Sequence, residues 1–441
     1  MSYDEAGPPA GERLDWARRF AARTALGGGE MTAILSLAGS ADTITFSGGF
    51  PAWETFPVDL MGPIIAELLS RDPARTLQYT PTEGLATSRT AVADLVAATQ
   101  GVRPEPADVL VTSGGIDALA LLSRVFLDPG DTVVVEAPTY LGALIGFAES
   151  QVDVVGVPMD ADGMRVDDLE HLLAARISRP VPKLCYVIPD YQNPTGLSLT
   201  LERRRALVEL CRRHGILIVE DVAYRELGFG GAPPPSLWSL GPDVVVQIGT
   251  FSKILFPGTR LGWAVGPHEV VAATAVAKQN SDQCAGALGQ QIMRAVVTGG
   301  YFPAHLARAR ALYESRAIAM LDALDRYMPA GVQWTRPRGG FFVWLTASEG
   351  TNMGHLATES QKEKVAFVPG GPFYADGRGT NQARLAFSSV PVVRIEEGVL
   401  RLARIFAAGL HAGSSDAPGR RSPPPTPLTA AGGTAAARGG H

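Results

Sequence analysis

The stretch Val244-Val245-Val246-Gln247-Ile248-Gly249-Thr250-Phe251-Ser252-Lys253-Ile254-Leu255-Phe256-Pro257-Gly258-Thr259-Arg260-Leu261-Gly262 decides how the chain is read. Its first five residues are a short β-branched run, which predicts a buried strand. Small polar residues then gather round Lys253, and Arg260 follows. An ammonium at the end of a buried strand is costly to desolvate. The usual relief is a lowered pKa, which makes the amine a nucleophile able to form a Schiff base with an aldehyde. By itself the stretch fits a surface lysine in a Gly/Pro-rich loop equally well.

The other lysines sharpen the choice. The chain has only five: Lys183, Lys253, Lys278, Lys362 and Lys364. Lys362 and Lys364 lie in a charged run that reads as solvated. Lys278 sits in an Ala/Val-rich helical stretch, and Lys183 follows Pro182 at a strand entrance. Only Lys253 combines hydroxyl neighbours, an apolar strand before it and an arginine after it.

Upstream, buried strands are predicted at Val109–Thr112, Thr132–Glu136, Val152–Val157, Leu184–Ile188 and Ile216–Glu220. Helices are predicted at Val58–Ser70, Leu85–Ala98, Ile116–Phe126, Val166–Ala175 and Leu201–His214, with one or two short ones between Trp16 and Leu37. This rhythm is an α/β class: a mostly parallel sheet covered by helices on both faces. Ligands of such sheets bind beyond the carboxyl ends of the strands. Five such ends carry candidate groups: Ser113-Gly114-Gly115, Tyr140, Asn193, Asp221 and Lys253. The first is a strand, a glycine turn and a helix N-terminus, which is an anion site.

After Gly300 the texture changes. A long helix, Pro303–Tyr327, precedes strands at Val332–Trp334, Gly340–Leu345, Val365–Gly370 and Ala383–Phe387, and a closing helix at Glu396–Ala408. The expected division is an N-terminal arm over 1–60 that belongs with the smaller domain, a large domain over 61–299, a small α+β domain over 300–411, and a disordered tail over 412–441.

Composition narrows the function classes. At 441 residues and a net charge of −5 the chain can bury a large core, and nucleic acid is not its expected partner. Cys185, Cys211 and Cys284 are an odd number without CxxC spacing, which predicts reduced thiols in a cytoplasmic protein and no metal cluster. No signal peptide is read in Met1–Arg13, and no apolar run reaches membrane-spanning length.

A lysine nucleophile needs a carbonyl partner, and pyridoxal 5'-phosphate supplies one along with a phosphate, a ring nitrogen and a phenolic oxygen. The nitrogen needs an acid to remain protonated, and Asp221 at a central strand end suits that. Tyr224 and Asn193 are candidates for the phenolic oxygen, and Tyr140 for stacking. Thr250, Ser252 and Arg260 are candidates for the phosphate. Each has an ordinary alternative: a capping aspartate, a core-edge or packed tyrosine, a turn asparagine before Pro194, a surface ion pair for Arg260.

With these residues in view, the chain resembles fold-type-I, class I/II aminotransferases, in particular the branch with 2-aminoadipate aminotransferases. The resemblance runs from about Phe46 to Ala408. Its motifs are Leu77-Gln78-Tyr79-Thr80-Pro81-Thr82-Glu83-Gly84, Glu136-Ala137-Pro138-Thr139-Tyr140, Gln192-Asn193-Pro194-Thr195-Gly196, Glu220-Asp221-Val222-Ala223-Tyr224, Thr250-Phe251-Ser252-Lys253 and Phe367-Val368-Pro369-Gly370. It implies that Lys253 carries the cofactor, Asp221 pairs its ring nitrogen, and Tyr224 and Asn193 meet its phenolic oxygen. It implies that Tyr140 stacks on the ring and that Thr250, Ser252 and Arg260 bind phosphate. Tyr79 is expected to reach the phosphate from a partner subunit, hence a homodimer. Arg384 is expected to clamp the substrate carboxylate as a bidentate fork, with Gly49 lending a backbone amide.

Two departures from the resemblance stand out. Where the branch reads Gly-Ser-Gln-Gln-Ala-Leu, this chain has Gly114-Gly115-Ile116-Asp117-Ala118-Leu119, so Gly115 and Ile116 offer only backbone amides. Thr32 stands where aminoadipate enzymes of the branch carry an arginine for the substrate side chain. That favours a neutral or aromatic donor, arylglycines among them, in specialised metabolism. The competing classes are another enzyme on the same scaffold (lyase, cyclase or oxidase) and a ligand-sensing regulator. A regulator needs a DNA-binding domain, for which the residues before Phe46 are too few.

Overall fold

A computed structural model of the chain describes residues 15–25, 42–176 and 180–415. The expectations for Met1–Arg13, Thr32 and residues 416–441 lie outside the described residues. Of the helices expected between Trp16 and Leu37, two short 3-10 turns are described, Trp16–Arg18 and Ala22–Ala25.

The strands in chain order begin with β1 (Ile44–Thr45), β2 (Val109–Thr112), β3 (Thr132–Ala137), β4 (Asp153–Asp160) and β5 (Gly163–Met164). There follow β6 (Leu184–Val187), β7 (Leu217–Asp221), β8 (Val245–Thr250) and β9 (Gly262–Val265). The last are β10 (Val332–Trp334), β11 (Phe342–Ala347), β12 (Val365–Ala366), β13 (Val368–Pro369) and β14 (Gln382–Ala386).

The large sheet has eight strands in the order β2-β9-β8-β7-β6-β3-β4-β5. The pairs β3–β4, β3–β6, β6–β7 and β7–β8 are parallel. Every residue of β2, β3, β6, β8 and β9 is buried, as helices on both faces require of apolar runs. The order gathers the exits of β2, β3, β6, β7 and β8 along one edge.

β9 runs against its neighbours, and this strand was not anticipated. Thr112 and Thr250 both register with Gly262 at its entrance, so the entrance of β9 meets the exits of β2 and β8. Arg260 therefore arrives at the same edge as Lys253. Gly262 has no room for a side chain: a Cβ there would lie 2.6 Å from the Gly249 carbonyl oxygen and 2.7 Å from the Gly114 carbonyl carbon.

The second sheet is β10-β11-β14-β13, antiparallel throughout. The single strand expected over Val365–Gly370 is corrected. It is two pieces: β12 pairs parallel with β1, and β13 pairs with β14. The break falls at Phe367, which is buried against Phe406, and Pro369 has no N–H to extend a ladder. Through β1 the arm is stitched to this sheet, since Phe46 N–H donates to Ala366 and its carbonyl accepts from Ala386 N–H. The closing helix spans Val392–Ser415, so the expected start of the tail at Ala412 falls inside a helix. Helices at Leu141–Glu149 and Met353–Lys362 were also not anticipated. Among the described residues no helix is long and apolar enough to cross a membrane.

Candidate active site

A cavity of 330 Å³ opens at the carboxyl edge of the large sheet, under the second sheet. Its walls include Gly49, Gly115, Ile116, Tyr140, Asn193, Asp221, Tyr224, Thr250, Ser252, Lys253, Arg260 and Arg384. Tyr79 is the one expected residue that does not join them. It is 79% exposed and lines a second, shallow depression with Cys284 and Leu288.

Lys253 lies in a four-residue helix, Phe251–Ile254, capped by the Thr250 hydroxyl, which accepts from Ser252 N–H at 3.2 Å. Its Nζ donates to the Gly49 carbonyl oxygen at 2.9 Å. The arm was expected to offer an amide from Gly49; here it is the carbonyl that faces the lysine. Burial lowers the Lys253 pKa to about 8, helped by the positive charges of Arg384 and Arg260 and opposed by Asp221. About a tenth of the amine is then unprotonated at pH 7, far more than for a lysine of ordinary pKa.

At one end of the cavity the groups suit a phosphate. Arg260 Nη1 lies 3.3 Å from Ser252 Oγ. Gly114 has φ +110°, and a Cβ there would come within 2.9 Å of Arg260 Nη2. The turn Ser113–Gly115 is held from behind by a cluster that the sequence did not disclose. Lys278 is fully buried, donates to both carboxylate oxygens of Asp282 at 2.6 Å, and lies 3.6 Å from Asp117. Asp282 accepts from the Ser113 hydroxyl at 2.5 Å, and Asp117 from Ser113 N–H at 2.9 Å.

Asp221 ends β7 with one oxygen accepting from Ala223 N–H at 3.0 Å and the other from the Tyr186 hydroxyl at 2.8 Å. Burial raises its pKa to about 6, and these two donors restrain the rise. The loop bearing Asn193 is braced by Gln192, whose amide donates to Glu136 at 3.1 Å and to the Pro138 carbonyl at 2.8 Å. Burial raises the Glu136 pKa to about 8. Deeper still, Asp190 is buried between Arg204 at 2.5 Å and Arg225 at 2.8 Å. Burial alone would raise its pKa, but the two guanidinium charges override that and leave it lowered. This triad ties the Asn193 loop to the turn that carries Tyr224.

At the other end stands Arg384, buried in the middle of β14. It donates to Asn193 Oδ1 at 2.9 Å and to the Ser47 carbonyl at 2.5 Å. Phe342 and Phe373 lie over its guanidinium at 4.6 and 4.9 Å, and its Nε is buried without a hydrogen-bond partner among the described residues. Gly49 allows this packing, because a Cβ there would come within 2.6 Å of the Phe342 ring. Tyr224 packs edge-on against Phe341 and Phe342. Phe50, Leu141, Ile188, Phe342 and Phe373 complete the wall and were not singled out in the sequence.

The cavity therefore holds a depressed-pKa amine with no carboxylate salt-bridge partner among the described residues, a buried carboxyl group, a glycine cradle beside an arginine, and a separate buried guanidinium. That set fits pyridoxal phosphate with a carboxylate-bearing substrate. The sequence matches the family described as Aminotransferase class I and II over residues 64–402. It is 40% identical over 396 residues to aromatic-amino-acid aminotransferase 1 of Thermococcus litoralis, covering 88% of this chain and 94% of that protein. It is 33% identical over 397 residues to (S)-3,5-dihydroxyphenylglycine transaminase of Amycolatopsis orientalis, covering 83% and 89%. The fold superposes with a TM-score of 0.84 on the crystal structure of LysN, α-aminoadipate aminotransferase of Thermus thermophilus, complexed with N-(5'-phosphopyridoxyl)-L-leucine. Identity there is 38%, with 90% of this chain and 100% of that chain covered.

The chain belongs to the class I and II aminotransferases. It is a pyridoxal-phosphate-dependent aminotransferase of fold type I.

Proposed function

We propose that the enzyme takes the amino group of a neutral or aromatic α-amino acid, arylglycines included, and passes it to a 2-oxo acid. The observation that carries this reading is the distribution of charge in the cavity. Its charged lining residues are Asp221, Lys253, Arg260 and Arg384. The first three are taken up by the cofactor, which leaves Arg384 for the α-carboxylate. The wall beyond it is Phe50, Leu141, Ile188, Phe342 and Phe373. A second, distal carboxylate would be buried there without a cation among the described residues, which is costly. The relatives named for aromatic amino acids and for a dihydroxyphenylglycine support the same direction.

Bound cofactor supplies the carbonyl that exchanges the amino group and the ring that withdraws electrons from Cα. Lys253 anchors it and, released as an amine, moves the proton at the donor's Cα as general base and then acid. Asp221 faces the ring nitrogen, and Tyr224 with Asn193 the phenolic oxygen. Tyr140 stacks on the ring. Thr250, Ser252, Arg260 and the amides of Gly115 and Ile116 hold the phosphate. Arg384, with the Gly49 segment, orients the carboxylate. Tyr79 completes the phosphate site of a second copy in a cytoplasmic homodimer. On this reading residues 61–299 form the cofactor domain, and 300–411 together with the arm form the smaller one.

The test is a half-reaction screen by absorbance, with purified enzyme and single amino acids. Phenylalanine, leucine and phenylglycine are expected to react with a kcat/KM at least about tenfold above 2-aminoadipate, the ratio expected for one unpaired buried charge. Equal or faster reaction of 2-aminoadipate would overturn the donor class.

A further inference from the structure

Beneath the floor of the cavity lies a tyrosine that does not line it. Tyr186 is in the middle of β6, fully buried. β6 and β7 are parallel, and Tyr186 registers with Val219, two residues before Asp221 on the same face. The ring therefore reaches diagonally along the sheet, and its hydroxyl donates to Asp221 Oδ2 at 2.8 Å. Phe147 packs edge-on against the ring at 5.9 Å and holds it there.

We propose that Tyr186 is a positioning residue: by donating to Asp221 from beneath, it keeps that carboxylate anionic and aimed at the ring nitrogen of bound cofactor. The proposal rests on the reading of Asp221 as the partner of that nitrogen. A hydrogen bond to a carboxylate stabilises the anion more than the acid. In the pair formed by Asp221 and the ring nitrogen, the donated proton of Tyr186 thus favours the arrangement with the proton on nitrogen. That protonated ring is the one that withdraws electrons from Cα. Burial drives the Tyr186 pKa well above its usual value, so the phenol remains a donor across the working range.

The other groups facing Asp221 are distinct in effect. Lys253 attracts its charge across the cavity, and Glu220, its neighbour on β7, repels it. Glu136 on β3, Tyr140 after β3 and Tyr224 after β7 also sense it electrostatically. Among the described residues, Tyr186 is the one whose side chain donates a hydrogen bond to it.

The experiment uses holoenzyme reconstituted with cofactor labelled with ¹⁵N at the ring nitrogen, followed by NMR across pH. In Tyr186→Phe the nitrogen should titrate at lower pH than in the wild type, at equal cofactor occupancy. Its Cα–H abstraction in a single half-reaction should slow roughly ten- to a hundredfold, as loss of a hydrogen bond to a charged group implies. The isotope effect with a Cα-deuterated donor should rise. If the phenylalanine variant holds no cofactor, fluorotyrosine incorporated at 186 keeps the shape and sharpens the donor, and the nitrogen should then titrate higher. An unchanged titration in either holoenzyme overturns the role of Tyr186 while leaving Asp221 in place. If Asp221→Asn also leaves the nitrogen signal at its wild-type position, the reading of Asp221 fails, and the proposal falls with it.

Discussion

The two ends of the cavity are built in different ways. The end proposed for the phosphate is made of backbone turns and short side chains at the exits of β2 and β8 and the entrance of β9. The end proposed for the substrate carboxylate is made of long side chains from an antiparallel sheet, with Arg384 held between two phenyl rings and against the arm. One end is set by strand order and glycine geometry, the other by side-chain packing across residues more than three hundred positions apart. Damage to the first should therefore appear in cofactor binding, and damage to the second in substrate use.

Lys253→Ala removes the amine that lies between the two ends and leaves both ends standing. Each half-reaction should slow at least about a thousandfold, within the range for loss of a general base, while cofactor still binds through the intact phosphate end. Single-turnover absorbance and equilibrium dialysis measure the two parts. Arg384→Lys sharpens the contrast, since a point charge cannot replace the fork. It should cost about 2–5 kcal/mol in kcat/KM for amino and oxo acids alike, with cofactor affinity unchanged. Unchanged kcat/KM would mean that the carboxylate is held elsewhere.

Gly114→Ala is the reverse case. A side chain at φ +110° is strained and meets Arg260, so cofactor affinity should fall by about 1–3 kcal/mol, with little change in KM for amino acids once the site is loaded. The smallest effect is one of pH. With the Lys253 pKa lowered to about 8, its free-amine fraction grows as pH rises through that value. The rate of reconstitution of apoenzyme with cofactor should follow, climbing from pH 6.5 and levelling off by about pH 9. A lysine of ordinary pKa would keep gaining rate up to about 10.4.

The same contrast explains what the sequence disclosed. Lys253, Asp221, Asn193 and the Ser113–Gly115 turn each follow an apolar run, so strand ends and chemistry could be read together. β9 escaped notice because four residues with a glycine and a tryptophan carry little periodicity, and its direction depends on partners distant in the chain. Arg384 could be singled out only through the family resemblance; nothing local marks it. Phe342 and Phe373 read as ordinary core residues, and Tyr186 as a good strand former. What sets them apart is a neighbour supplied by folding. Lys278 is the sharpest instance: a lysine in an unremarkable helical stretch, whose burial depends on Asp282 one turn away and Asp117 on another helix.

The reversed direction of β9 has a consequence for how this chain can change over time. Lys253 leaves one strand and Arg260 enters the next, and six residues join them. On the proposed reading of these two residues, that connection acts as a ruler between the cofactor's anchor and its phosphate grip. An insertion or deletion within Ile254–Thr259 would shift one against the other, whereas loops at the opposite edge of the sheet carry no such measure. Length variation among descendants of this sequence should therefore be absent from this hairpin and concentrated at that far edge.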